Sequence, residues 1–403
     1  MRILFLSRWY PYPADNGAKI RIFHLIRALA ERHAIHLLSY SAEPVSPEWV
    51  EAMRAYCQQV ETVLYKPFRP GSLKAVQGFF SLRPRSVADT FNPEMQARAE
   101  QAVRTNAFET VIASEIDMAP YAARLPVTVK VLEELELTAL YEQMGQAPHP
   151  WRKMRAGLMW WKYSRYARQM MRFFEACTVV SDRERERVRR LAPDYARLGV
   201  IPNGVEVSAN AGDFGAPEPD TLVYSGALTY QANFDAMAYF LREIFPLIRA
   251  ERPNTKLAIT GKLEGVPLEL LPRVPGVTFT GYLTDVRPAI ARSWASVVPL
   301  RLGGGTRVKI LEAMALGTPV VATRKGVEGL DVQAGRDLLV ADASADFAAQ
   351  VLRLLREPDL RAALSRQARQ TVAAKYDWAI IGQAFNQFLD DVITSTRTKP
   401  YAP

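Results

Sequence analysis

The sequence predicts an α/β protein built from two doubly wound, Rossmann-like domains facing each other across a cleft. Three observations carry this. Short apolar runs alternate with helix-period segments, the pattern of a parallel sheet covered by helices. The alternation starts afresh after residue 220. A chain of 403 residues also exceeds what one hydrophobic core usually supports, so two domains of about 200 residues are expected.

Taken in order, Arg2–Ser7 reads as a buried strand, followed by a Pro- and aromatic-rich loop and a helix through Ile20, Phe23, Leu25, Ile26 and Leu29. Strand-like runs recur at 36–40, 62–65, 110–113, 127–131 and 178–181. The second series comprises 221–226, 256–261, 277–279, 296–300 and 319–322, and three helical stretches follow from Ser344. Residues 205–219, rich in Gly, Ala, Pro and acids, read as a linker. The expected domains are 1–204, joined by a C-terminal helix at about 378–395, and 205–377.

Composition narrows the class. Hydrophobic residues at 49% and charged residues at 23% exclude wholesale disorder. Cys57 and Cys177 cannot build a disulfide framework, which points to a reducing compartment. No apolar run reaches membrane-spanning length, and Met1–Leu6 turns polar too soon for a signal peptide, so a cytoplasmic protein is expected. The net charge of +9 is concentrated in residues 1–200, where 29 Lys and Arg face 21 Asp and Glu; this suggests an anionic partner for the first half. No nucleic-acid motif or base-stacking arrangement accompanies it, so nucleic acid is not expected.

The sharpest chemical signal is the run Leu300–Val321, where a strand leads to Gly303-Gly304-Gly305 and a helix starts near Thr306. Glycines allow close backbone approach, and a helix start presents unpaired N–H groups; together they make an anion site to which Arg301, Arg307 and Lys309 add charge. It is neither a P-loop nor a G-x-G-x-x-G fingerprint. In the first half, Gly17 lies between the first strand and first helix, with Asp15 or Asn16 as the expected cap. Glu115 and Asp117 follow a strand end and are candidates to receive or orient an acceptor proton; Glu133, Glu134 and Glu136 are rivals. No His/Asp cluster suggests a metal, and no Ser-His-Asp or Cys-His arrangement is apparent. Trp151–Phe174 holds seven basic residues, seven aromatics and no acid. At helical spacing Met159, Trp160, Tyr163, Tyr166, Met170, Met171 and Phe174 share one side, opposite Arg155, Lys162, Arg165, Arg168 and Arg172. Such a helix suits either an anionic membrane surface or packing on the sheet.

Glu312–Thr323 resembles the donor-site signature of glycosyltransferase family 4, a group 1 glycosyltransferase family with the GT-B fold. Ile201–Glu206 resembles its interdomain segment, Lys325–Leu330 the turn after the signature, and Asp377-Trp378 with the final helix its crossover to the first domain. The resemblance spans most of residues 1–395 and is specific mainly from 200 onward. It implies a retaining, hexosyltransferase-type enzyme taking a nucleotide-sugar donor, with no cofactor and no metal, and a lipid-linked or polysaccharide acceptor. A cell-envelope role is expected with it, and Trp151–Phe174 suggests peripheral attachment to the inner face of a membrane. The candidate donor-site residues of this sequence are Gly17, Gly226, Arg301, Gly304, Gly305, Thr306, Arg307, Lys309, Glu312 and Glu328; among them the resemblance matches Glu312 to the second glutamate of the two-glutamate motif, the one that contacts the ribose.

Two departures stand out. The first glutamate, which addresses the donor sugar, is replaced by Gly304. The paired Arg and Lys after the domain's first strand are absent from Gly226–Asn233, so Arg307 and Lys309 are expected to take over as diphosphate partners. The lost glutamate motivates one alternative, a non-catalytic nucleotide-sugar-binding protein; a nucleotide-sugar epimerase on a related fold is another.

Overall fold

The computed structural model describes residues 1–78, 80–145, 149–305 and 307–397. Among these residues thirteen strands form two sheets, in which all pairings are parallel. The chain divides into two compact units, Met1–Pro202 with the segment from Ile381, and Asn203–Ile380.

The first unit holds β1 (Arg2–Ser7), β2 (Ala34–Ser41), β3 (Gln59–Leu64), β4 (Thr110–Ser114), β5 (Val129–Glu133), β6 (Ala176–Val179) and β7 (Leu198–Val200), in the order β3-β2-β1-β4-β5-β6-β7. Ile3, Leu4, Phe5 and Leu6 are fully buried, as expected of a central parallel strand covered on both faces. Helix Gly17–Ala30 begins where the Asn16 side chain accepts the Lys19 N–H at 3.1 Å. It buries Ile22, Leu25, Ile26 and Leu29, a single stripe at helical spacing. Truncating any one of these to alanine removes contacts worth about 2–5 kcal/mol.

The second unit holds β8 (Glu218–Ser225), β9 (Lys256–Thr260), β10 (Val277–Gly281), β11 (Ser293–Val298), β12 (Val320–Ala322) and β13 (Leu339–Val340), ordered β10-β9-β8-β11-β12-β13. Each order runs outward from a central strand, then restarts on that strand's other side. The reversal falls between β1 and β4 in one sheet and between β8 and β11 in the other. Loops leaving the carboxyl ends of such a pair splay apart, and the crevice between them is where open α/β sheets bind ligands.

Several sequence expectations need correction. β7 and β13 have no counterpart among the strand-like runs; at three and two residues they are too short to show a period. The runs at 127–131 and 178–181 shift to β5 and β6 because ladder pairing sets the register, with Val131 opposite Ala176 and Cys177 opposite Leu198. The segment read as a linker is folded into the second unit, where the Val205 N–H donates to the Tyr376 carbonyl at 2.9 Å and the Asn210 amide to Glu206 at 2.8 Å. The last helix, Trp378–Arg397, starts in the second unit's residues and belongs to the first from Ile381. There Gly382 fits against Ala28, since a Cβ would lie 2.5 Å from that methyl, and Asn386 donates to the Ala28 carbonyl at 2.9 Å. Cys57 and Cys177 are buried free thiols.

Candidate functional site

The second unit's switch point is built from the loops after β8 and β11. Past β8 the chain turns at Gly226, whose φ of 151° lies in a region that disfavours a side chain. A Cβ there would stand 2.5 Å from Lys309 Nζ and 3.0 Å from Asn233 Nδ2, so the absent side chain makes room for the ammonium group. Past β11, Gly303 (φ 95°) and Gly305 (φ 79°) bend the loop over helix Gln231–Tyr239, where a Cβ on Gly303 would lie 3.1 Å from the Ala232 methyl and the Tyr230 hydroxyl. Gly304 and Gly305 are thus in the crevice loop, while Thr306 lies outside the described residues.

The helix expected near Thr306 runs from Val308 to Leu316, with Arg307 at its N-cap. It ends where Gly317 takes a left-handed conformation (φ 76°). Arg307 is buried, and its guanidinium donates to the carbonyls of Gly303 at 2.6 Å and Gly304 at 2.7 Å. It clamps the glycine loop. Lys309 donates to the Tyr224 hydroxyl and to Asn233 Oδ1, both at 2.9 Å, with its ammonium 4.2 Å from the Tyr224 ring centroid. Burial pulls the lysine down to about 7, and the Arg307 charge adds to the effect while Glu312 opposes it. Glu312, partly exposed on the next turn, makes no hydrogen bond or ion pair among the described residues. Burial pushes its carboxyl up to about 7, against the pull of Lys309. A cation and an uncommitted carboxyl therefore stand one turn apart at the start of a helix, beside a glycine loop.

The other donor-site expectations fall differently. Arg301 forms an ion pair with Asp235 at 2.7 Å and lies 4.4 Å from the Tyr239 ring centroid, so its charge is already matched. Glu328 is held by Lys325 Nζ at 2.7 Å, three residues away on the same turn. Gly17 opens helix Gly17–Ala30 with open space where a Cβ would be. Tyr224 and Asn233, the immediate partners of Lys309, were not singled out in the sequence; the signal available was that a strand's last residues and the helix after it must line a switch-point crevice.

In the first unit, Arg8 follows β1, and its guanidinium pairs with Asp117 and lies 3.7 Å from Glu115, both in the loop after β4. It also donates to the Tyr65 hydroxyl at 3.3 Å. Arg8 and Tyr65 were missed, because a lone Arg beside Trp9 carries no local pattern. Glu115 adopts φ 67°, strained for a residue with a Cβ. Its carboxyl is pushed up to about 8 by burial, against Arg8, and burial raises Asp117 as well. Of the rivals, Glu133 is closed off. It is fully buried, pairs with the fully buried Arg21 at 2.6 Å, and accepts the Ser114 hydroxyl at 2.8 Å. Glu134 sits beside that pair, 3.5 Å from Arg21, and burial raises its carboxyl well above the usual range.

Helix Pro150–Met171 corrects the two-sided reading of Trp151–Phe174. Its second half buries Tyr166, Met170 and Met171, with Phe174 just beyond. Its first half leaves Trp151, Met154, Leu158, Met159 and Trp161 exposed among Arg152, Lys153 and Arg155. The apolar stripe does not run the helix's length, because only its C-terminal half meets the unit's core. Among the described residues no helix is long and apolar enough to cross a membrane, and no group of three or more His, Cys, Asp or Glu is arranged to hold a metal ion.

Residues 219–357, most of the second unit, match the family described as "Glycosyl transferases group 1". A glycogen synthase of Mycobacterium tuberculosis is 32% identical over 212 residues, covering 48% of this chain and 49% of that protein. A GDP-mannose-dependent monoacylated alpha-(1-6)-phosphatidylinositol monomannoside mannosyltransferase of Corynebacterium glutamicum is 31% identical over 161 residues, covering 37% and 42%. The chain thus spans about half the length of the curated relatives it matches. The fold is also that of the Anabaena protein HepE, solved with UDP and glucose, at TM-score 0.64 and 16% identity over 97% of this chain and 100% of that one. Sucrose-phosphate synthase of Thermosynechococcus elongatus gives TM-score 0.68 and 16% identity over 98% and 100%. The architecture is the two-unit GT-B fold, and the family likeness of the second unit is to the group 1 glycosyltransferases.

Proposed function

We propose that this chain transfers a hexosyl group, with retention at the anomeric carbon, from a nucleoside diphosphate sugar to a hydroxyl of a lipid-linked or polysaccharide acceptor. The observation that carries the reading is the Lys309 ammonium standing one helical turn from the Glu312 carboxyl at the β8/β11 crevice. In transfer, the anomeric carbon–oxygen bond to the diphosphate breaks and a bond to the acceptor oxygen forms, so negative charge develops on the leaving group. Lys309 and the glycine-loop backbone answer that charge without calling on a metal, and Arg307 acts as a positioning residue by fixing the loop's carbonyls. Glu312 accepts the ribose hydroxyls, which an uncommitted carboxylate does well. Glu115 or Asp117 orients the acceptor hydroxyl and receives its proton; a carboxyl raised by burial suits that task near neutral pH. We assign the membrane role to the exposed first half of helix Pro150–Met171, where tryptophans and basic residues suit the inner face of an anionic bilayer.

A panel of nucleotide sugars, read by thermal stabilisation and by release of nucleoside diphosphate, tests the reading. A ligand that both stabilises the protein and is turned over names the donor. Gly304, in place of a carboxylate facing the sugar, favours one rival, a binding protein without turnover; stabilisation with no release in the presence of glycan and lipid acceptors would establish that instead. Response to no nucleotide would refute the donor site.

A further inference from the structure

A second cavity lies wholly within the first unit. It has a volume of about 520 Å³ and is walled by the short helices Leu73–Gln77 and Arg85–Thr90, the Pro120–Arg124 stretch and the last turns of helix Pro150–Met171. Three of its lining residues, Lys74, Arg83 and Arg124, are cations, and among the described residues no carboxylate lines it. None of the three forms an ion pair among the described residues. Asp89, whose carboxyl the Lys74 charge helps to lower, is already committed, accepting the Arg69 N–H at 2.8 Å and the Ser72 hydroxyl. The remaining wall is apolar and aromatic, with Phe91, Met170 and Phe173; Arg124 lies 5.0 Å from the Phe91 ring centroid.

Tyr166 supplies the second, independent observation. Its side chain is 3% exposed and lines the cavity, yet its hydroxyl has no hydrogen-bond partner among the described residues. A buried hydroxyl left unpaired is costly, and a ligand oxygen entering the cavity would complete it. The segment flanking the cavity also leaves Leu73, Phe80 and Leu82 exposed. Cations, an uncommitted donor, aromatic walls and an apolar margin together describe one ligand chemistry: a phosphate head on a hydrocarbon body.

We infer that this cavity binds the phosphate headgroup of an anionic membrane lipid, with Lys74, Arg83, Arg124 and the Tyr166 hydroxyl on the phosphate and Phe91, Met170 and Phe173 along the first carbons of its chains. Each contact is one that a phosphate monoester or diester satisfies by accepting charge-assisted hydrogen bonds. The ligand class rests on the proposed membrane association, but not on the donor chemistry. Membrane attachment then acquires a selective component, a captured headgroup, in addition to the salt-sensitive attraction of the basic helix.

The test uses the full chain and dihexanoyl phosphatidate as a monomeric probe, titrated by calorimetry beside dihexanoyl phosphatidylcholine and inorganic phosphate. Phosphatidate should bind at least tenfold more tightly than either comparison. The double variant Arg83→Gln/Arg124→Gln should lose at least tenfold in phosphatidate affinity. Tyr166→Phe should lose about fivefold while its melting temperature holds or rises, since the free protein gives up no hydrogen bond. A merely structural tyrosine would leave the phosphatidate affinity unchanged, overturning the assignment. Equal affinity for phosphatidylcholine, equal affinity for inorganic phosphate, or no binding of phosphatidate would each overturn it as well. Nucleotide-sugar binding by the same variants should be unchanged, and flotation of Trp151→Ala/Met154→Ala on anionic vesicles reads the helix separately. A failure of the cavity is thereby distinguished from a failure of the donor site or of the membrane helix.

Discussion

Lys309→Met should flatten the pH dependence of nucleotide-sugar binding. In the free site the ammonium is enclosed by Tyr224, Asn233 and the bare backbone of Gly226, and burial brings it down to about 7. A bound diphosphate favours the protonated form, so binding takes up a proton wherever the free lysine has lost one. With a free-state value of about 7, the protonated share is about a quarter at pH 7.5 and about a hundredth at pH 9. Glu312, also near 7, is largely ionised over that window and offsets little of the change. Affinity should therefore fall about 20-fold from pH 7.5 to 9, or about 2 kcal/mol. A nucleotide sugar is the proper probe, because its diphosphate is esterified at both ends and carries constant charge across the window. Calorimetry with UDP-glucose and GDP-mannose, repeated in buffers of different ionisation enthalpy, reads both the affinity and the proton taken up. The methionine variant should bind more weakly at pH 7.5 and show no slope. A flat wild-type profile, or an equal slope in the variant, would refute the assignment of Lys309 to the diphosphate.

Gly226→Ala sets a methyl 2.5 Å from Lys309 Nζ at φ 151°; it should cost about 1–3 kcal/mol in stability and abolish nucleotide-sugar binding, and an unchanged melt with intact binding would contradict the packing described. Glu133→Gln leaves the fully buried Arg21 with Glu134, at 3.5 Å, as its remaining charge partner and should lower urea-unfolding stability by about 1–3 kcal/mol; a loss below about 1 kcal/mol would mean that Glu134 balances the cation. The Glu115 carboxyl, ordinarily near 4.5, stands at about 8 in the fold, so the folded protein holds an extra proton between those values. Its contribution to stability is complete below about pH 4.5 and is lost as pH rises through 8. Glu115→Gln should remove that decline from a stability profile, and an unaltered profile would show that the proton resides elsewhere.

Much of the fold was legible because parallel strands buried on both faces leave continuous apolar runs. Leu4–Leu6 and Val320-Val321 announce themselves, whereas β7 and β13 contribute too few residues to do so. The glycine loop was legible for a related reason: three consecutive glycines at a strand–helix junction have few other uses. What the sequence withheld was commitment. Arg301, Arg307 and Lys309 are equally cationic on paper, but in the fold Arg301 answers Asp235, Arg307 answers two loop carbonyls, and Lys309 is held by the side-chain oxygens of Tyr224 and Asn233. Pairings across 66 or 109 positions, such as Arg301 with Asp235 and Arg8 with Asp117, are set by strand order and leave no trace in local spacing. The same holds for the orphaned Tyr166 hydroxyl, which at helical spacing looks like one more core aromatic.

Gly304 joins these observations. Unlike Gly303 and Gly305 it is not among the residues held at positive φ, so its backbone does not demand glycine there. Its carbonyl accepts from Arg307, whose charge is one of the two causes that depress Lys309. A carboxylate on this residue would stand beside that guanidinium and offset its field. With glycine that offset is absent, and the lysine's charge depends more strongly on the ligand. Gly304→Glu should therefore raise the lysine and move the fall in nucleotide-sugar affinity to a pH above 7.5, with a smaller proton uptake at pH 8. The reverse movement, or none, would show that residue 304 does not share an electrostatic environment with Lys309. A gain in turnover in the same variant would identify the missing carboxylate as the group that limits this site.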